Sequence, residues 1–243
     1  MNRFPLSVII LTKNSEITLE KALESVRWAQ EVLIIDDGSS DSTKNIADKF
    51  GARWISSPLK DFANQRNNGL SLATHDWVLF LDSDEYLTLE LQHEIQTLLP
   101  TTRFNGFLIK RTDVFMQKTL WYGETGRMHL LRLAKRNAGV WYRPVHEVWN
   151  ISGGIGKLKH SIMHTPHVSV TSFLEKINLY TEMEKIQKDP LFLWLIKLLY
   201  YPKVKFFVNY VLKCGFLDGF PGFAMAYMMS LHSLIVRIKQ YET

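Results

Sequence analysis

Three acidic residues follow an apolar run in a spacing that could bind a metal ion. Trp77–Leu81 is continuously apolar, and Asp82, Asp84 and Glu85 come within the next four positions. Such a run predicts a strand buried on both faces, as in a parallel sheet, and open α/β sheets bind ligands at the carboxyl ends of their strands. Adjacent carboxylates repel one another unless a cation joins them, and oxygen ligands suit Mg²⁺ or Mn²⁺. We therefore predict a metal–diphosphate site here, with a solvated acidic loop as the alternative.

A second acidic turn, Asp36–Asp41, follows the apolar run Val32–Ile35 and precedes a helix that begins near Ser42. Helix capping accounts for Asp41 but leaves the adjacent Asp36 and Asp37 unexplained. Because these two acids also lie at the carboxyl end of a strand, we favour a contact with a ribose hydroxyl or a base N–H over a capping role.

Arg66 lies early in a predicted helix that runs from Phe62 to about Ala73. A guanidinium group matches two phosphate oxygens at once. We therefore predict that Arg66 contacts a diphosphate, and the alternative is an ordinary surface arginine.

Aromatic and basic residues are concentrated between residues 121 and 149. Aromatic faces beside cationic donors are typical of sugar-binding clefts, although such rings are more often core residues. The candidates for acceptor binding are Trp121, Tyr122, Trp141 and Arg132.

Glu147 lies between Trp141 and Trp149 and could act as a general base if its surroundings raise its pKa. Taken alone, these residues favour a salt bridge from Glu147 to Arg143 or Arg127. His160, His164 and His167 have a spacing that could suggest zinc, but we do not expect a zinc site because the ligand geometry is incomplete and Pro166 interrupts a helix.

Alternating strand and helix patterns indicate how these residues are positioned. The order strand, helix, strand, acidic turn, helix is typical of a right-handed βαβ unit, and the pattern continues with further strands and helices. The predicted strands are 6–11, 31–35, 52–55, 77–81 and 106–110, and the predicted helices are 16–30, 62–73 and 87–99.

The last third of the chain differs in character. An amphipathic helix is predicted from Ser172 to Lys188, followed by an apolar segment, 191–213, that carries four lysines and no acid. Lysines along a long apolar helix are typical of a helix lying in a membrane interface. Gly219–Val236 is uncharged but barely long enough to span a bilayer. We favour in-plane or re-entrant membrane contact, and a soluble helical pair stays open.

The composition of the chain and the motifs that it lacks exclude several protein classes. The chain has 243 residues, a formal net charge of +5 and one cysteine, Cys214, so it has no intramolecular disulfide and no thiolate metal cluster. No phosphate-binding glycine loop and no dinucleotide fingerprint is present. We expect no secretory signal peptide, because the apolar run after Pro5 is too short.

Taken together, these motifs resemble glycosyltransferase family 2 over residues 6–150. The four that carry the resemblance are Ser7–Asn14, Asp36–Asp41, Asn64–Gly69 and Asp82–Asp84, the last being similar to the family's D-x-D motif. Further stretches, such as Leu217–Gly219, are similar to bacterial enzymes that add a sugar to the lipopolysaccharide inner core. Asp37 departs from that subgroup, which often has serine there.

The resemblance implies a GT-A fold, Rossmann-like, with a mostly parallel sheet flanked by helices, in residues 1–170. Residues 171–243 would form a helical membrane-associating appendage. It also implies a nucleotide-sugar donor, Mg²⁺ or Mn²⁺, and inversion at the anomeric carbon during transfer to a cell-envelope glycan or glycolipid such as lipopolysaccharide core. The implied location is cytoplasmic, peripheral on the inner face of the cytoplasmic membrane, and no nucleic acid is expected as a partner.

The resemblance also implies roles for individual residues. Asp37, with Asp36 and Thr12, would hold the base and ribose, and Asp82 would contact the ribose or the metal. Asp84 would ligate the metal, and Glu147 becomes the expected catalytic base. Two alternatives are a nucleotidyltransferase and a non-catalytic membrane-associated scaffold. The sugar, the base, the acceptor and the oligomeric state are not determined by the sequence.

Overall fold

The computed structural model describes residues 3–124, 126, 128–143, 147–165, 171, 173–175, 177–178 and 189–240. Arg127, His146 and His167, and most of the helix predicted from Ser172 to Lys188, lie outside the described residues. The chain divides into two compact units, the first comprising 1–111 and 129–164 and the second 112–128 and 165–243. The second unit therefore contains residues 112–128 in addition to the C-terminal segment predicted from the sequence.

Parallel strands form one side of the sheet in the first unit, in the order β3-β2-β1-β4. Each corresponds to an apolar run of the sequence, which confirms the predicted α/β fold. The bounds are Phe4–Thr12 for β1, Ala29–Asp36 for β2, Arg53–Ser56 for β3 and Trp77–Asp82 for β4.

Antiparallel strands extend the sheet beyond β4, in the order β8-β6-β11-β5. A separate two-stranded sheet pairs β9 with β10, and the short β7 pairs with the end of β6 in the second unit. The bounds are Glu85–Leu87 for β5, Gly106–Phe115 for β6, Lys118–Thr119 for β7, His129–Lys135 for β8, Gly139–Tyr142 for β9, Val148–Ile151 for β10 and Ile155–His164 for β11.

The helices of the first unit are shorter than the sequence pattern suggested. Helix α1 ends at Ser25, because the chain must turn before β2 begins at Ala29. Side chains cap two helices: Asp61 accepts from the Asn64 N–H at the start of α3, and Thr88 accepts at the start of α4. The bounds are Leu19–Ser25 for α1, Thr43–Lys49 for α2, Phe62–Leu72 for α3 and Leu89–Leu98 for α4.

Both faces of β1, β4 and the second half of β2 are buried, which explains their continuous apolar runs. Alternate side chains point to opposite faces of a strand, so Val8 and Ile10 pack in the core on one face, with α1, α2 and α4. Ile9 packs on the other face, with α3, Trp141 and Trp149. The sheet is thereby held rigid behind the carboxyl ends of its strands.

In the second unit two long helices pack against each other. Helix α5 spans Leu191–Phe207 and continues as a π-helical turn, Val208–Leu212, and α6 spans Phe220–Lys239. The Trp194 Nε1–H donates to the Arg237 carbonyl, so the start of α5 lies beside the end of α6 and the pair is antiparallel. Among the described residues, no helix combines the length and apolarity needed to cross a bilayer.

Candidate active site

Strand register brings the two acidic motifs to one edge of the sheet. Thr12 at the end of β1 lies opposite Asp36 at the end of β2, and Leu11 lies opposite Asp82 at the end of β4. Parallel strands end on the same side, so residues distant in sequence converge there. This edge is where open α/β sheets bind ligands.

Asp36 holds the loop after β2. Its Oδ1 accepts hydrogen bonds from Thr12 Oγ1 at 2.9 Å and from the Ser39 hydroxyl, and its Oδ2 accepts from the Ser39 N–H at 2.7 Å. The side chain is buried and its oxygens are occupied by these donors. Asp36 and Thr12 therefore fix the conformation of this loop, and their predicted contact with the donor stays a prediction.

Asp37 points to a more open position. Its Oδ1 accepts from the Leu59 N–H at 2.7 Å, while its Oδ2 lies 3.8 Å from Lys13 Nζ. A quarter of the side chain is exposed. The second carboxylate oxygen can therefore accept from a ligand at the sheet edge.

Two arginines hold Asp82. Arg66 Nη2 donates to Asp82 Oδ1 at 2.8 Å, and Arg132 Nη2 donates to Asp82 Oδ2 at 2.7 Å. Both guanidinium groups are almost fully buried. Burial opposes ionisation of Asp82, but Arg132 and Arg66 outweigh it and hold the pKa of this carboxyl well below its usual range. Each carboxylate oxygen of Asp82 accepts one of these bonds and keeps a further lone pair, so its predicted contact with the ribose or the metal stays a prediction.

Glu85 lies beneath this group and is fully buried. Its Oε2 accepts from the Asp82 N–H at 3.0 Å, so it fixes the backbone at the end of β4. Burial, reinforced by the charge of Asp82, raises the pKa of Glu85 above its ordinary value. In turn Asp82 and Glu85 overcome the effect of burial on Arg132 and raise the pKa of its guanidinium.

Glu147 shares Arg66 with Asp82. Its Oε1 accepts from Arg66 Nε at 2.8 Å and lies 2.7 Å from Arg66 Nη2. From the residues alone a salt bridge is the favoured interpretation of Glu147, and the structure contains one, with Arg66; of the two partners expected, Arg127 lies outside the described residues. Among the described residues Oε2 of Glu147 makes no hydrogen bond, so it is the oxygen available to an acceptor hydroxyl.

Each of the two arginines also has an unused donor. Nη1 of Arg66 and Nη1 of Arg132 are buried and have no hydrogen-bond partner among the described residues. A buried guanidinium N–H without an acceptor is costly. Phosphate oxygens are the acceptors that a pair of neighbouring guanidinium groups fits best.

Asp84 lies next to a histidine from the far edge of the sheet. His164 Nε2 is 3.6 Å from Asp84 Oδ1, because β11 pairs with β5 and places His164 opposite Glu85. A carboxylate oxygen and an imidazole nitrogen this close can both reach one divalent ion. Among the residues that the structure describes, no group of three or more potential ligands is arranged to hold a metal.

The predicted acceptor residue Trp141 is part of the core. Its ring is buried, stacks on Trp149 at 5.2 Å between ring centroids and meets the edge of Phe80. Asn67 makes two hydrogen bonds of 2.9 Å to its backbone, one to the N–H and one to the carbonyl. The ring lies 4.8 Å from the Arg66 guanidinium carbon, so Trp141 supports Arg66 by cation–π contact rather than offering a face to an acceptor.

The remaining acceptor candidates divide between the two units. Arg132 donates to Asp82 and so lies within the acidic group of the first unit, and its predicted contact with the acceptor stays a prediction. Trp121 and Tyr122 belong to the second unit, and 58% and 41% of their surfaces are exposed. Their backbone N–H groups donate to the buried Asp218 carboxylate, which fixes this segment within that unit.

A family model described as "Glycosyl transferase family 2" matches residues 7–153, which is more than half of the chain and includes every motif of the first unit. The chain belongs to glycosyl transferase family 2. The matched range contains Asp37, Arg66, Asp82 and Glu147, so the charged group described above lies inside the domain that defines the family.

Related proteins agree with this family assignment. An uncharacterized glycosyltransferase of Rickettsia conorii is 36% identical over 104 residues, which are 42% of this chain and 37% of that protein. The lipopolysaccharide core biosynthesis glycosyltransferase LpsC of Rhizobium meliloti is 24% identical over 99% of this chain and 93% of its own length. The match to the rickettsial relative thus spans little more than a third of that protein.

A solved structure supports the fold. Residues 1–349 of S. aureus TarS, crystallised with UDP-GlcNAc, superpose with a TM-score of 0.50 at 16% identity, covering 95% of this chain and 82% of that one. The sheet order and flanking helices of this family 2 glycosyltransferase are therefore those of the GT-A fold.

Three residues of this family 2 member have roles that the sequence does not indicate. Glu85 was noted only as a third acid, and Asn67 only as part of a helix start. His164 was considered solely for zinc with His160 and His167. His164 ends β11, a strand of mixed apolar and polar residues, and its neighbour across the sheet depends on a register that the sequence does not reveal.

Proposed function

We propose that the chain is an inverting glycosyltransferase that moves a sugar from a nucleotide-sugar donor to an acceptor hydroxyl. The observation that carries this proposal is the pair of guanidinium groups, Arg66 and Arg132, held by Asp82 at the carboxyl end of β4, where open α/β sheets bind ligands. Such a pair suits the diphosphate of a nucleotide sugar, which becomes the leaving group.

The base and ribose would be bound at the ends of β1 and β2. Asp37 is the residue we propose for this contact, because one of its carboxylate oxygens faces an open position. Asp36, Thr12 and Ser39 would hold the loop in the conformation that presents it. A loop fixed in advance reduces the entropy lost when the donor binds.

A divalent ion, Mg²⁺ or Mn²⁺, would be held by Asp84 and His164. Their closest side-chain atoms are 3.6 Å apart, and an ion with two protein ligands commonly completes its shell with water and substrate phosphate. The ion would supply Lewis-acid stabilisation of the departing diphosphate. Asp82 would contact the ribose or the ion through the lone pairs that its oxygens do not share with the two arginines.

Glu147 would be the catalytic base. It would accept the acceptor hydroxyl's proton on Oε2 while the acceptor oxygen attacks the anomeric carbon, and the bond from that carbon to the diphosphate oxygen would break on the opposite face. Arg66 contacts Oε1 and thereby orients the carboxylate. Arg66 and Arg132 would stabilise the charge that grows on the leaving group.

The acceptor we propose is a cell-envelope glycolipid. LpsC, similar over nearly the whole of this chain, is described as acting in lipopolysaccharide core biosynthesis. We propose a related acceptor here, with Trp121 and Tyr122 as its contacts because both are exposed. The working location would be cytoplasmic, peripheral on the inner face of the cytoplasmic membrane.

Thermal unfolding with a panel of nucleotide sugars tests the donor site. A ligand at 100 times its Kd stabilises the folded chain by about 2.7 kcal/mol, so one class of nucleotide sugar should raise Tm by several degrees, and more with Mn²⁺ than without it. Asp84→Asn should lose the Mn²⁺ increment while keeping metal-free binding. The exposed Asp48→Asn is the matched control. No shift with any nucleotide sugar would contradict the proposal.

A further inference from the structure

The second unit presents a large apolar surface to solvent. Helix α5 carries an apolar stripe formed by Phe192, Leu195, Ile196, Leu199, Tyr200 and Phe207, and each of these residues is at least 40% exposed. Their spacing of three and four residues places them on one face of the helix. The stripe runs along α5 for roughly 22 Å at 1.5 Å per residue.

An aromatic tip continues this surface beyond the end of α5. It consists of Phe216, Phe220, Phe223 and Tyr227. The ring of Phe223 contacts those of Phe220 and Tyr227, with centroids about 6 Å apart. Phe206 also contacts Phe223, and Tyr210 contacts Phe216. With the three rings of the apolar stripe, seven aromatic side chains are between 40% and 77% exposed. At about 150–250 Å² per ring, roughly half exposure leaves on the order of 700 Å² of aromatic surface across the apolar stripe and the aromatic tip together.

Basic residues outnumber acids in this segment. Between residues 190 and 240 the chain has six basic residues and a single acid, Asp218, and two of the six, Lys197 and Lys205, pair with Asp189 and Glu124. Asp218 is buried and accepts from backbone N–H groups. Lys203 lies in the middle of the apolar stripe, is exposed, and has no acidic side chain within ion-pair distance in the described part of the chain.

We infer that the apolar stripe and the aromatic tip dock in the plane of an anionic lipid bilayer. Apolar and aromatic side chains enter the interface while lysines remain at the headgroups, which is the arrangement of in-plane amphipathic helices. Neither helix is suited to crossing the bilayer. If two copies instead docked through this surface about a twofold axis, Lys203 of one copy would face the same basic surface of the other. No acid in the contact would balance that charge.

The docking deepens the proposed function, because it would bring the chain to the surface where a lipid-linked acceptor lies. It does not require catalysis, so it can be tested without donor or acceptor. Donor binding measured by thermal shift reports on the first unit. A chain that binds donor but not vesicles would overturn the docking alone, and a chain that binds vesicles but no donor would overturn the transferase proposal alone.

Vesicle co-sedimentation of the full chain is the test. We expect the chain to pellet with vesicles containing phosphatidylglycerol, weakly with pure phosphatidylcholine, and less as salt increases. Lys203→Gln should lower the partition coefficient about fivefold, and Leu199→Ser about fivefold to tenfold. Both residues are exposed, so the variants should fold, as circular dichroism can verify.

Two controls are matched to these variants. Lys49→Gln changes an exposed lysine of α2, and Leu89→Ser changes a leucine of α4 that is 70% exposed. Both should bind vesicles like the original chain. Equal binding by Leu199→Ser and Leu89→Ser would overturn the inference. A second result would also overturn it. If light scattering in vesicle-free buffer shows a dimer of the original chain and a monomer of Leu199→Ser, the surface is an interface between copies.

Discussion

Replacing Asp82 with asparagine tests whether this carboxylate holds the arginine pair. Asp82→Asn keeps the shape of the side chain but removes the charge shared by Arg66 and Arg132, whose nitrogens lie 2.8 and 2.7 Å from it. Both guanidinium side chains are less than a tenth exposed, so each would lose an acidic partner inside the protein.

The expected loss of stability follows from this burial. Removing one partner of a buried ion pair costs about 3–5 kcal/mol. The Asp82 side chain is 29% exposed and asparagine retains an acceptor, so we expect a lower value, about 2–3 kcal/mol. With roughly 2–4 °C per kcal/mol for a domain of this size, Tm should fall by about 5–10 °C.

Asp48→Asn provides the matched control. Asp48 accepts from Lys44 Nζ at 2.8 Å, nearly the same distance, but both side chains are more than half exposed. Solvent-exposed pairs of this kind contribute about 0.3–0.5 kcal/mol. Urea unfolding followed by tryptophan fluorescence would measure both variants. Equal small losses in the two would refute the conclusion that Asp82 organises buried charge.

A double-mutant cycle that combines Asp82→Asn with Arg132→Met measures the interaction energy between these two side chains apart from their other contacts. If Asp82 and Arg132 interact directly, the combined variant should lose about 1–2 kcal/mol less than the sum of the single losses. Additive losses would show that the two side chains contribute independently, despite the 2.7 Å hydrogen bond.

Further predictions concern packing, pH and the loop after β2. Gly69→Ala should lower stability by about 1–3 kcal/mol, because its added Cβ would lie 2.7 Å from Ile9 Cγ2; an unchanged urea midpoint would contradict the close packing of α3. Burial raises the pKa of Glu94, but backbone N–H donors and His160 outweigh this and hold it below its usual value. Its stabilising effect should therefore be present above pH 4.5 and lost as pH falls through the lower folded pKa. Between pH 7 and 3.5 the Glu94→Gln variant should lose less unfolding free energy than the original chain. Parallel pH curves for the two proteins would argue against this role of Glu94. Asp36→Asn should destabilise the chain by about 1–3 kcal/mol and weaken donor binding, whereas full donor affinity would show that the loop does not need this carboxylate.

The parallel strands and their carboxyl-end acids could be predicted because the signal is local. A strand buried on both faces must be apolar at every position, and the chain shows such runs before Asp36 and before Asp82. Register then follows from packing, so acids at the ends of two such strands meet at one edge. The expected convergence of Asp37 and Asp82 rested on this rule and on the family resemblance.

The partners of those acids could not be predicted, because they are set by long-range pairing. Arg132 reaches Asp82 from fifty residues further along the chain, through the antiparallel pairing of β8 with β4. His164 meets Asp84 through the register of β11 with β5. Trp141 is buried by Asn67 and by stacking on Trp149, and no local pattern separates a core tryptophan from one that binds sugar.

Product analysis with Glu147→Gln tests the central claim most directly. With a nucleotide sugar that stabilises the chain, Mn²⁺ and a lipopolysaccharide core acceptor, we predict release of nucleoside diphosphate in step with sugar transfer. Loss of a general base typically lowers turnover 10²–10⁴-fold, so Glu147→Gln should lose at least about a hundredfold in kcat while its donor-induced Tm shift persists. Release of pyrophosphate, or an unchanged rate in Glu147→Gln, would contradict the account.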